Sequence, residues 1–370
     1  MTVRSVDGAW VGADGRVLAV AGSALAQVYG VAVAGGLALS FPPACEDEAG
    51  AFVDPPDVDG LVDLRAVPFC TIDFETSRDL DQALMVERAG DGFTVWYAIA
   101  DTTHFVRPGS AVHAEAVRRG STVYLPGLCV PMLPFALCEG RTSLLPAVDR
   151  RALVFRMTVG PDGVCAETAL SRAVIRSRCK TWYAAVQAWV DGAPPPCADP
   201  AVVRSLEAFA ALGPVLLAGA DRRGMLRVRR EEVEVDVGPD GARFVALREG
   251  RHTVERWNEQ VSLLANQEGA RFLTRAGAVV DPIYRVMEPP APERLAGLAR
   301  LVGQIGAAHG RDLTWDPARE PLAALLTRVP DDDLGRVVHR QAMLVGGSAG
   351  FAPTPGPHAG VAADGYARFT

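Results

Sequence analysis

Two runs of alternating β-branched, aromatic and polar residues predict strands in the first half of the chain. They cover 93–100 and 153–159 and have the length and composition of partly buried strands. The second run is followed by Pro161-Asp-Gly, a turn sequence, and then by another strand pattern. This half of the chain is therefore predicted to be rich in β-structure.

Apolar residues repeat at the helical period elsewhere in the chain. A short helix, capped by Ser110 and ending before Gly120, interrupts the strand-rich half. Longer periodic stretches predict helices at 201–218, 255–274, 293–308 and 332–345. We therefore expect residues 61–370 to form one mixed α/β domain of the α+β kind, with a mixed β-sheet core and surrounding helices.

The first 60 residues are predicted to be a small, β-rich N-terminal segment with its linker. Residues 17–45 carry no charge, and a stretch of that length is enough to cross a bilayer. Glycines, serines and a glutamine interrupt it, so we expect a pair of short buried strands, with Gly35-Gly36 as the turn, and no membrane segment. The acidic, proline-bearing connector 45–60 places a domain boundary near residue 60.

Composition and charge are typical of a folded protein without a large basic surface. Of the 370 residues, 49% are hydrophobic and 22% are charged, and the net charge is −7. This balance argues against a simple basic nucleic-acid-binding module, so any nucleic acid has to be bound by a local surface. Seven cysteines without a Cys-x-x-Cys pair argue against a disulfide framework and a structural zinc site. We therefore expect a protein of the reducing cytoplasm.

Three aspartates follow one another closely and can form a metal site. The β-branched and apolar residues before Asp73 predict a buried strand that ends there, and Asp79 and Asp81 lie six and eight residues further on. Three converging carboxylates repel one another unless a divalent cation neutralises them, and oxygen ligands favour Mg²⁺ or Mn²⁺ over zinc. Such a cation suits in-line cleavage of a phosphodiester. The spacing alone leaves a solvated acidic loop, a calcium-like turn, a glycosyltransferase and a phosphatase as alternatives.

The surrounding sequence resembles one known family. Thr71-Ile-Asp and Arg78-Asp-Leu-Asp-Gln-Ala-Leu84 are similar to the opening of the ribonuclease II/R catalytic domain, the RNB-type domain. Further blocks resemble the same family in the same order, at 97–110, 124–134, 142–153, 258–266 and 358–370. The resemblance extends over about 310 of the 370 residues.

The resemblance implies a 3′-to-5′ exoribonuclease that hydrolyses single-stranded RNA to nucleoside 5′-monophosphates, with Mg²⁺ (or Mn²⁺) at its active site. Asp73, Asp79 and Asp81 match three of the four acidic residues of the family's cluster, and Asp81 is expected to be the most sensitive to substitution. The fourth position is an aspartate in the family and Gln82 here. An amide oxygen can coordinate a hard cation but carries no charge, so we expect Gln82 to be a weaker metal ligand.

Two further positions match RNA-contacting residues of the family. Tyr124 matches an aromatic residue that stacks on the terminal nucleotide, and stacking accepts any base. Glu259 matches a glutamate that contacts RNA deeper in the channel. Asp101 and His104 lie in a block that the family uses to build the fold, and they are not expected to bind metal. A basic run is a candidate to line the RNA path: Arg172, Arg176, Arg178 and Lys180.

The two ends of the chain differ from the family pattern. The closing Tyr366-Ala-Arg-Phe-Thr370 matches the point where the family continues with a Ser-Pro-Ile-Arg-Arg-Tyr-like element, whose arginine helps to stabilise the reacting phosphate. An oligonucleotide-binding domain normally follows, and about 60 N-terminal residues are too few for paired cold-shock-type domains. We expect either a monomeric exoribonuclease acting on single-stranded RNA or a catalytically weak RNA-binding relative, and the sequence leaves open whether the chain is a fragment.

Overall fold

A seven-stranded mixed sheet is the centre of the structure, a computed structural model that describes residues 3–53, 58–227, 233–248, 250–276 and 281–367. Its strands and those of the smaller sheets are, in chain order, β1 (Val3–Val6), β2 (Ala9–Gly12), β3 (Val17–Ala19), β4 (Val62–Asp63), β5 (Cys70–Asp73), β6 (Gln82–Ala89), β7 (Gly92–Ala100), β8 (Val123–Leu125), β9 (Leu128–Val130), β10 (Asp149–Val159), β11 (Cys165–Arg176), β12 (Cys179–Trp182), β13 (Val233–Val237), β14 (Phe244–Arg248), β15 (Tyr284–Val286) and β16 (Gly350–Ala352).

Helices occur in both halves of the chain and dominate the second. They are α1 (Ala24–Ala34), α2 (Pro43–Ala51), α3 (Ala111–Arg119), α4 (Tyr183–Val190), α5 (Pro200–Arg222), α6 (Thr253–Ala276), α7 (Pro292–Ala308), α8 (Leu322–Arg328) and α9 (Asp333–Val345).

The central sheet has the strand order β12-β5-β6-β7-β10-β11-β4. The inner pairs from β5 to β11 are antiparallel, whereas β12 runs parallel to β5 and β4 runs parallel to β11. Because β5 and β6 are antiparallel, the end of β5 and the beginning of β6 lie at the same edge of the sheet. This edge carries Asp73 and Gln82. The predicted fold class, a mixed α/β domain with a mixed sheet, is confirmed.

Helices α4, α5 and α6 cover one face of the sheet. Leu84, Val95 and Phe155 of the sheet belong to the same buried apolar cluster as Phe209 of α5 and Trp257 of α6. Alternate residues of a strand point to opposite faces, and the other face buries a second cluster that includes Leu80, Met85, Val154 and Leu144. The sheet is therefore buried on both sides near the acidic sequence.

Helix α5 packs very closely against α6. A Cβ atom added to Gly213 would lie 2.2 Å from Cγ of Trp257, so only a glycine fits at this contact. By length and composition alone α5 is apolar enough to cross a membrane. In the structure, however, its residues Leu206, Phe209 and Leu212 are fully buried against the sheet and α6.

Most of the predicted elements are present with small shifts of their ends. The strands predicted at 93–100 and 153–159 are β7 and β10, and the turn at Pro161 leads into β11. The helices predicted in the second half are α5, α6, α7 and α9. Ser110 caps α3 by accepting a hydrogen bond from the backbone N–H of His113 at 3.2 Å, and Gly120 ends that helix.

The N-terminal prediction of two buried strands within 17–45 is wrong. Only β3 is a strand, and α1 follows it because Ser23 accepts the N–H of Ala26 at 3.1 Å as an N-terminal cap. The connector also differs from the prediction, since its first residues belong to α2. Cys45 and Ala49 of α2 are buried with Phe105. Residues 54–57 lie outside the described residues, and the boundary near residue 60 stays a prediction.

Candidate active site

Asp73 is the last residue of β5 and lies at the edge of the sheet where β6 begins. Cys70 and Thr71 before it are buried, which fixes the direction of the strand, while Asp73 itself is half-buried. Its carboxylate accepts the backbone N–H of Phe74 at 2.7 Å. Burial, and then the charge of Asp79, raise the pKa of Asp73 above its usual range, against the hydrogen bonds that lower it. Asp73 and Asp79 therefore lie close enough to repel each other.

The segment 74–81, called the acidic loop below, is held on one side by Lys180. The ammonium group of Lys180 on β12 donates to the backbone carbonyls of Glu75 at 2.9 Å and Ser77 at 2.5 Å. Lys180 is the only lysine in the chain. The structure therefore gives it an internal role, which differs from the RNA-path position expected from sequence.

Ser143 holds the acidic loop on its other side. The fully buried hydroxyl of Ser143 accepts the N–H of Leu80 at 3.0 Å and donates to the carbonyl of Arg78 at 2.7 Å. The backbone N–H of Leu144 adds a bond to the carbonyl of Leu80 at 2.8 Å. Sequence reasoning did not assign Ser143 a role, although it lies in one of the blocks that resemble the ribonuclease family.

Asp81 is the last residue of the acidic loop. Its carbonyl accepts the N–H of Ala100 at the end of β7 at 2.9 Å. The side chain keeps contact with solvent, yet protein surrounds it on most sides. Burial, together with the charges of Asp79 and Asp73, raises the pKa of Asp81 to about 6. The three predicted aspartates are thus close enough for the charges of Asp79 and Asp73 to act on Asp81, and their joint role in a metal site stays a prediction.

The three carboxylates provide hard oxygen donors with unbalanced negative charge, which fits Mg²⁺ or Mn²⁺ in chemistry. Among the residues that the structure describes, no three acidic, histidine or cysteine side chains are already arranged as a complete set of metal ligands.

Tyr124 lies beside the acidic loop, in the hairpin of β8 and β9. The side chain is 70% exposed, and its hydroxyl lies 3.4 Å from a carboxylate oxygen of Asp79. Burial of the hydroxyl end, and then the charge of Asp79, raise the pKa of Tyr124 to about 12. The phenol is therefore protonated at neutral pH, and most of its ring is free to contact a ligand.

Gln82 begins β6 directly after Asp81. The hydroxyl of Tyr97, on the neighbouring strand β7, donates a hydrogen bond to the amide oxygen Oε1 of Gln82. Register explains this contact, because Gln82 pairs with Ile99 and Leu84 pairs with Tyr97, which makes Gln82 and Tyr97 diagonal neighbours on one face. Sequence reasoning missed Tyr97, since nothing local marks a buried tyrosine as part of a site.

Glu259 lies on α6 and is paired within the chain. Its carboxylate is 3.3 Å from a guanidinium nitrogen of Arg251. The preceding Asn258 donates to the hydroxyl of Tyr183 at 3.1 Å, and the charge of Asp73 is one cause of the raised pKa of Tyr183, after burial. Glu259 therefore lies on the helix that faces the acidic site, and its carboxylate forms an ion pair with Arg251.

Intramolecular contacts also occupy two arginines of the basic run. Arg176 forms an ion pair with Asp149 at 2.6 Å, and Arg178 forms one with Asp199 at 3.3 Å. Arg172 is exposed on β11. The run is thus mostly used to join elements of the fold.

Asp101 is used in the fold as well. Its carboxylate lies 3.5 Å from the guanidinium of Arg151, and both side chains are at least nine-tenths buried. A buried acid with an arginine partner is a structural ion pair. This agrees with leaving Asp101 out of the predicted metal site.

Together, the sheet and its edge define a class of protein: a mixed α/β domain with an acidic loop at one edge of its central sheet. Comparisons with known proteins make the assignment more specific. The family model described as RNB domain matches residues 61–370, and the chain belongs to the RNB family.

Relatives and solved structures agree with the family assignment. The chain is 33% identical to the ribonuclease R of Vibrio cholerae over 324 residues, which is 84% of this chain and 38% of that protein. A solved structure of Mycoplasma genitalium RNase R in complex with ribose-methylated single-stranded RNA is similar, with a TM-score of 0.86, 25% identity, and coverage of 96% of this chain and 55% of that chain. This chain thus spans about half or less of the length of these relatives.

One structural neighbour has a different functional description. The structure of yeast Ssd1, a pseudonuclease, resembles this fold with a TM-score of 0.64 and 15% identity, over 89% of this chain and 39% of that chain. At this identity the similarity concerns the fold alone. The RNB fold is therefore compatible with more than one function.

Proposed function

We propose that the chain carries the catalytic domain of a 3′-to-5′ exoribonuclease that hydrolyses single-stranded RNA to nucleoside 5′-monophosphates. The observation that carries this proposal is the proximity of Asp73, Asp79 and Asp81. After burial, the charge of Asp79 raises the pKa of Asp73, and the charges of Asp79 and Asp73 raise the pKa of Asp81. Similarity to ribonuclease R proteins over 84% of the chain supports the substrate class.

The proposed cofactor is Mg²⁺, with Mn²⁺ as a substitute, held by Asp73, Asp79 and Asp81. Positive charge would remove the repulsion that contributes to the raised pKa values of Asp73 and Asp81. When bound, the cation supplies polarisation of the phosphodiester and acidification of an attacking water. Lys180 and Ser143 keep the loop, and therefore the carboxylates, in position.

Tyr124 is the proposed contact for the terminal nucleotide. Its ring is largely exposed beside Asp79, so a base stacked on it would place the adjoining phosphate next to the carboxylates. Glu259 is the proposed second contact with RNA, reached when Arg251 exchanges its carboxylate partner for a phosphate. Contacts of this kind are local, as the net charge of −7 requires.

We extend the proposal to the cellular context: a cytoplasmic monomer without a membrane segment. The seven cysteines are all unpaired, which agrees with a reducing compartment. Within the described ranges, α5 is the one helix with the composition of a membrane span, and it is used as a core helix. Sedimentation of the purified chain tests the monomer, and fractionation of cells tests the compartment.

Hydrolysis of a labelled RNA tests the proposed function. We expect a 5′-labelled single-stranded RNA to shorten stepwise with Mg²⁺ and to remain intact with EDTA or with Asp81→Asn. Release of labelled nucleoside 5′-monophosphate first from RNA labelled at its 3′-terminal nucleotide establishes the direction. Asp91→Asn is the matched control, since Asp91 is exposed in the turn after β6, at the opposite end of that strand from Asp81. Metal-independent cleavage, or unchanged cleavage by Asp81→Asn, contradicts the proposal.

A catalytically weak RNA-binding relative is the second candidate. One observation favours it: Gln82 stands where the family has an aspartate. The same gel assay separates the two functions. Binding of the RNA without any metal-dependent shortening would establish the second candidate for this chain.

A further inference from the structure

Helix α6 carries a row of polar side chains, each of which meets a tyrosine hydroxyl. The row lies on one face because its members are four residues apart. The amide groups at the two ends donate at 3.1 Å and 3.4 Å, and the serine in the middle lies within hydrogen-bonding reach of the third tyrosine. The three pairs are Asn258 with Tyr183, Ser262 with Tyr97, and Asn266 with Tyr366.

The central tyrosine of the row connects α6 to the sheet. Tyr97 is only 2% exposed, and burial raises its pKa above the usual range, so its hydroxyl keeps its proton. The Ser262 side chain is within hydrogen-bonding reach of the Tyr97 hydroxyl. The phenolic proton is then directed at the amide oxygen of Gln82. The chain of bonds therefore runs from Ser262 on α6, through Tyr97 on β7, to Gln82 on β6.

Gln82 is covalently joined to Asp81, so whatever fixes Gln82 also limits the movement of Asp81. The carbonyl of Asp81 is already bound to the N–H of Ala100 at the end of β7. The Gln82 side chain lies on the same face as Leu84, which packs in the cluster beneath α5 and α6. The oxygen that would coordinate a cation is thus turned toward α6 and occupied by Tyr97.

We infer that Gln82 is a positioning residue and not a cation ligand: with Tyr97 and Ser262 it fixes the beginning of β6, and therefore Asp81, relative to α6. This inference rests on the proposed function and deepens it. It leaves the three aspartates as the only side-chain oxygens of this sequence motif that bind the cation. Glutamine also suits this contact better than the family's aspartate, because its side chain is one methylene longer and its amide oxygen is uncharged.

Two substitutions isolate the contact in the full chain. Gln82→Met keeps the length of the side chain and removes the acceptor, and Tyr97→Phe keeps the ring and removes the donor. We expect each to lower kcat roughly tenfold with less than a twofold change in KM, because a small displacement of a catalytic carboxylate slows the chemical step more than binding. The double variant should be no slower than the slower single variant, since both changes remove one contact.

Tyr284→Phe is the matched control for Tyr97→Phe. Tyr284 is 1% exposed, and its hydroxyl is hydrogen-bonded to Thr274 at 3.1 Å, outside the row. Its substitution should leave kcat unchanged. Multiplicative losses in the double variant of Gln82 and Tyr97, or an equal rise in KM, overturn the positioning role.

A measurement of cation binding distinguishes a positioning role of Gln82 from coordination of the cation by Gln82. Free Mn²⁺ can be counted by electron paramagnetic resonance while each variant is titrated without RNA. We expect Gln82→Met to bind Mn²⁺ within twofold of the original chain and Asp81→Asn to bind it at least roughly tenfold more weakly. Equal weakening in both variants would identify Gln82 as a ligand and overturn the inference.

Thermal unfolding without cation gives a result that does not depend on the proposed function. If Gln82 and Tyr97 form one contact, the unfolding midpoint of the double variant equals that of the less stable single variant. Additive shifts show that the two side chains act separately and overturn the inference. If the original chain neither binds Mn²⁺ nor shortens RNA, the proposed function fails. The unfolding midpoints of the two single variants and the double variant then decide alone whether Tyr97 positions Gln82.

Discussion

The hydroxyl of Ser143 lies 3.0 Å from the backbone nitrogen of Leu80 and accepts its hydrogen bond. The two residues are 63 positions apart in sequence. With the bond from Ser143 to the carbonyl of Arg78, this contact closes the acidic loop on one side, while Lys180 closes it on the other. The conformation of the loop that presents Asp79 and Asp81 is therefore set by distant parts of the chain.

Replacement of Lys180 should loosen the acidic loop. Lys180→Met retains the aliphatic stem but loses the ammonium donors to the carbonyls of Glu75 and Ser77. We expect faster trypsin cleavage after Arg78, whose side chain is 76% exposed, and a roughly tenfold lower kcat because the carboxylates are less well positioned. Limited proteolysis with mass spectrometry measures the first effect. Lys180→Arg, which keeps donors at this place, should stay closer to the original chain, and equal cleavage of all three contradicts the role.

Removal of the Tyr124 ring should weaken RNA binding. Tyr124→Ala is expected to raise KM for single-stranded RNA roughly tenfold, since stacking of one base on an aromatic side chain contributes about 1–3 kcal/mol. Tyr124→Phe keeps the ring and loses only the hydroxyl near Asp79. It should therefore retain most of the affinity in fluorescence anisotropy titrations. If Phe and Ala weaken binding equally, the hydroxyl and not the ring is the important group.

The raised pKa of Asp81 predicts a pH-dependent cost to stability in the absence of a cation. The folded chain holds its proton up to about pH 6, whereas an unfolded aspartate releases it near its ordinary value. The unfolded state therefore binds fewer protons between these values, and the contribution of Asp81 to the free energy of unfolding falls as the pH rises. Below this pH window Asp81 is protonated in both the folded and the unfolded state, and its cost to the free energy of unfolding disappears.

Asp81→Asn tests this dependence. Its unfolding midpoint should exceed that of the original chain by an amount that grows from about pH 4 to about pH 6 and is then constant. Mg²⁺ should reduce the difference, because a bound cation stabilises the folded chain that carries all three carboxylates. A difference that does not vary with pH would contradict the assignment of the raised pKa to Asp81.

A methyl group at Gly213 should disturb the packing of α5 against α6. We expect Gly213→Ala to lower the free energy of unfolding by about 1–3 kcal/mol, the usual effect of overpacking, because the added Cβ would lie 2.2 Å from Trp257. Gly303→Ala in α7 is the control, since no atom lies within 4 Å of the added Cβ. There the substitution should stabilise by about 0.5–1 kcal/mol. Denaturant unfolding measures both, and a stabilising Gly213→Ala contradicts the packing described.

Periodicity predicted the strands and helices that have a regular apolar face, such as β7, β10 and α9. It did not predict α1, because alanine, valine and glycine in that region fit a buried strand as well as a helix. The cap from Ser23 and the hydrogen bond from Trp10 to the carbonyl of Ala26, at 3.0 Å, favour the helix. Such a choice between two conformations depends on packing, which local sequence does not contain.

Sequence by itself determined the family, the three aspartates and their order around one strand end, because these features are encoded in contiguous motifs. Tertiary structure decided which groups hold them. Lys180 reaches Glu75 across 105 positions, and Tyr97 reaches Gln82 through strand register. Contacts of this kind depend on the position of β12 beside β5 and of β7 beside β6. The physical reason is that a hydrogen bond needs two groups within about 3 Å, and only the folded sheet brings these residues to that distance.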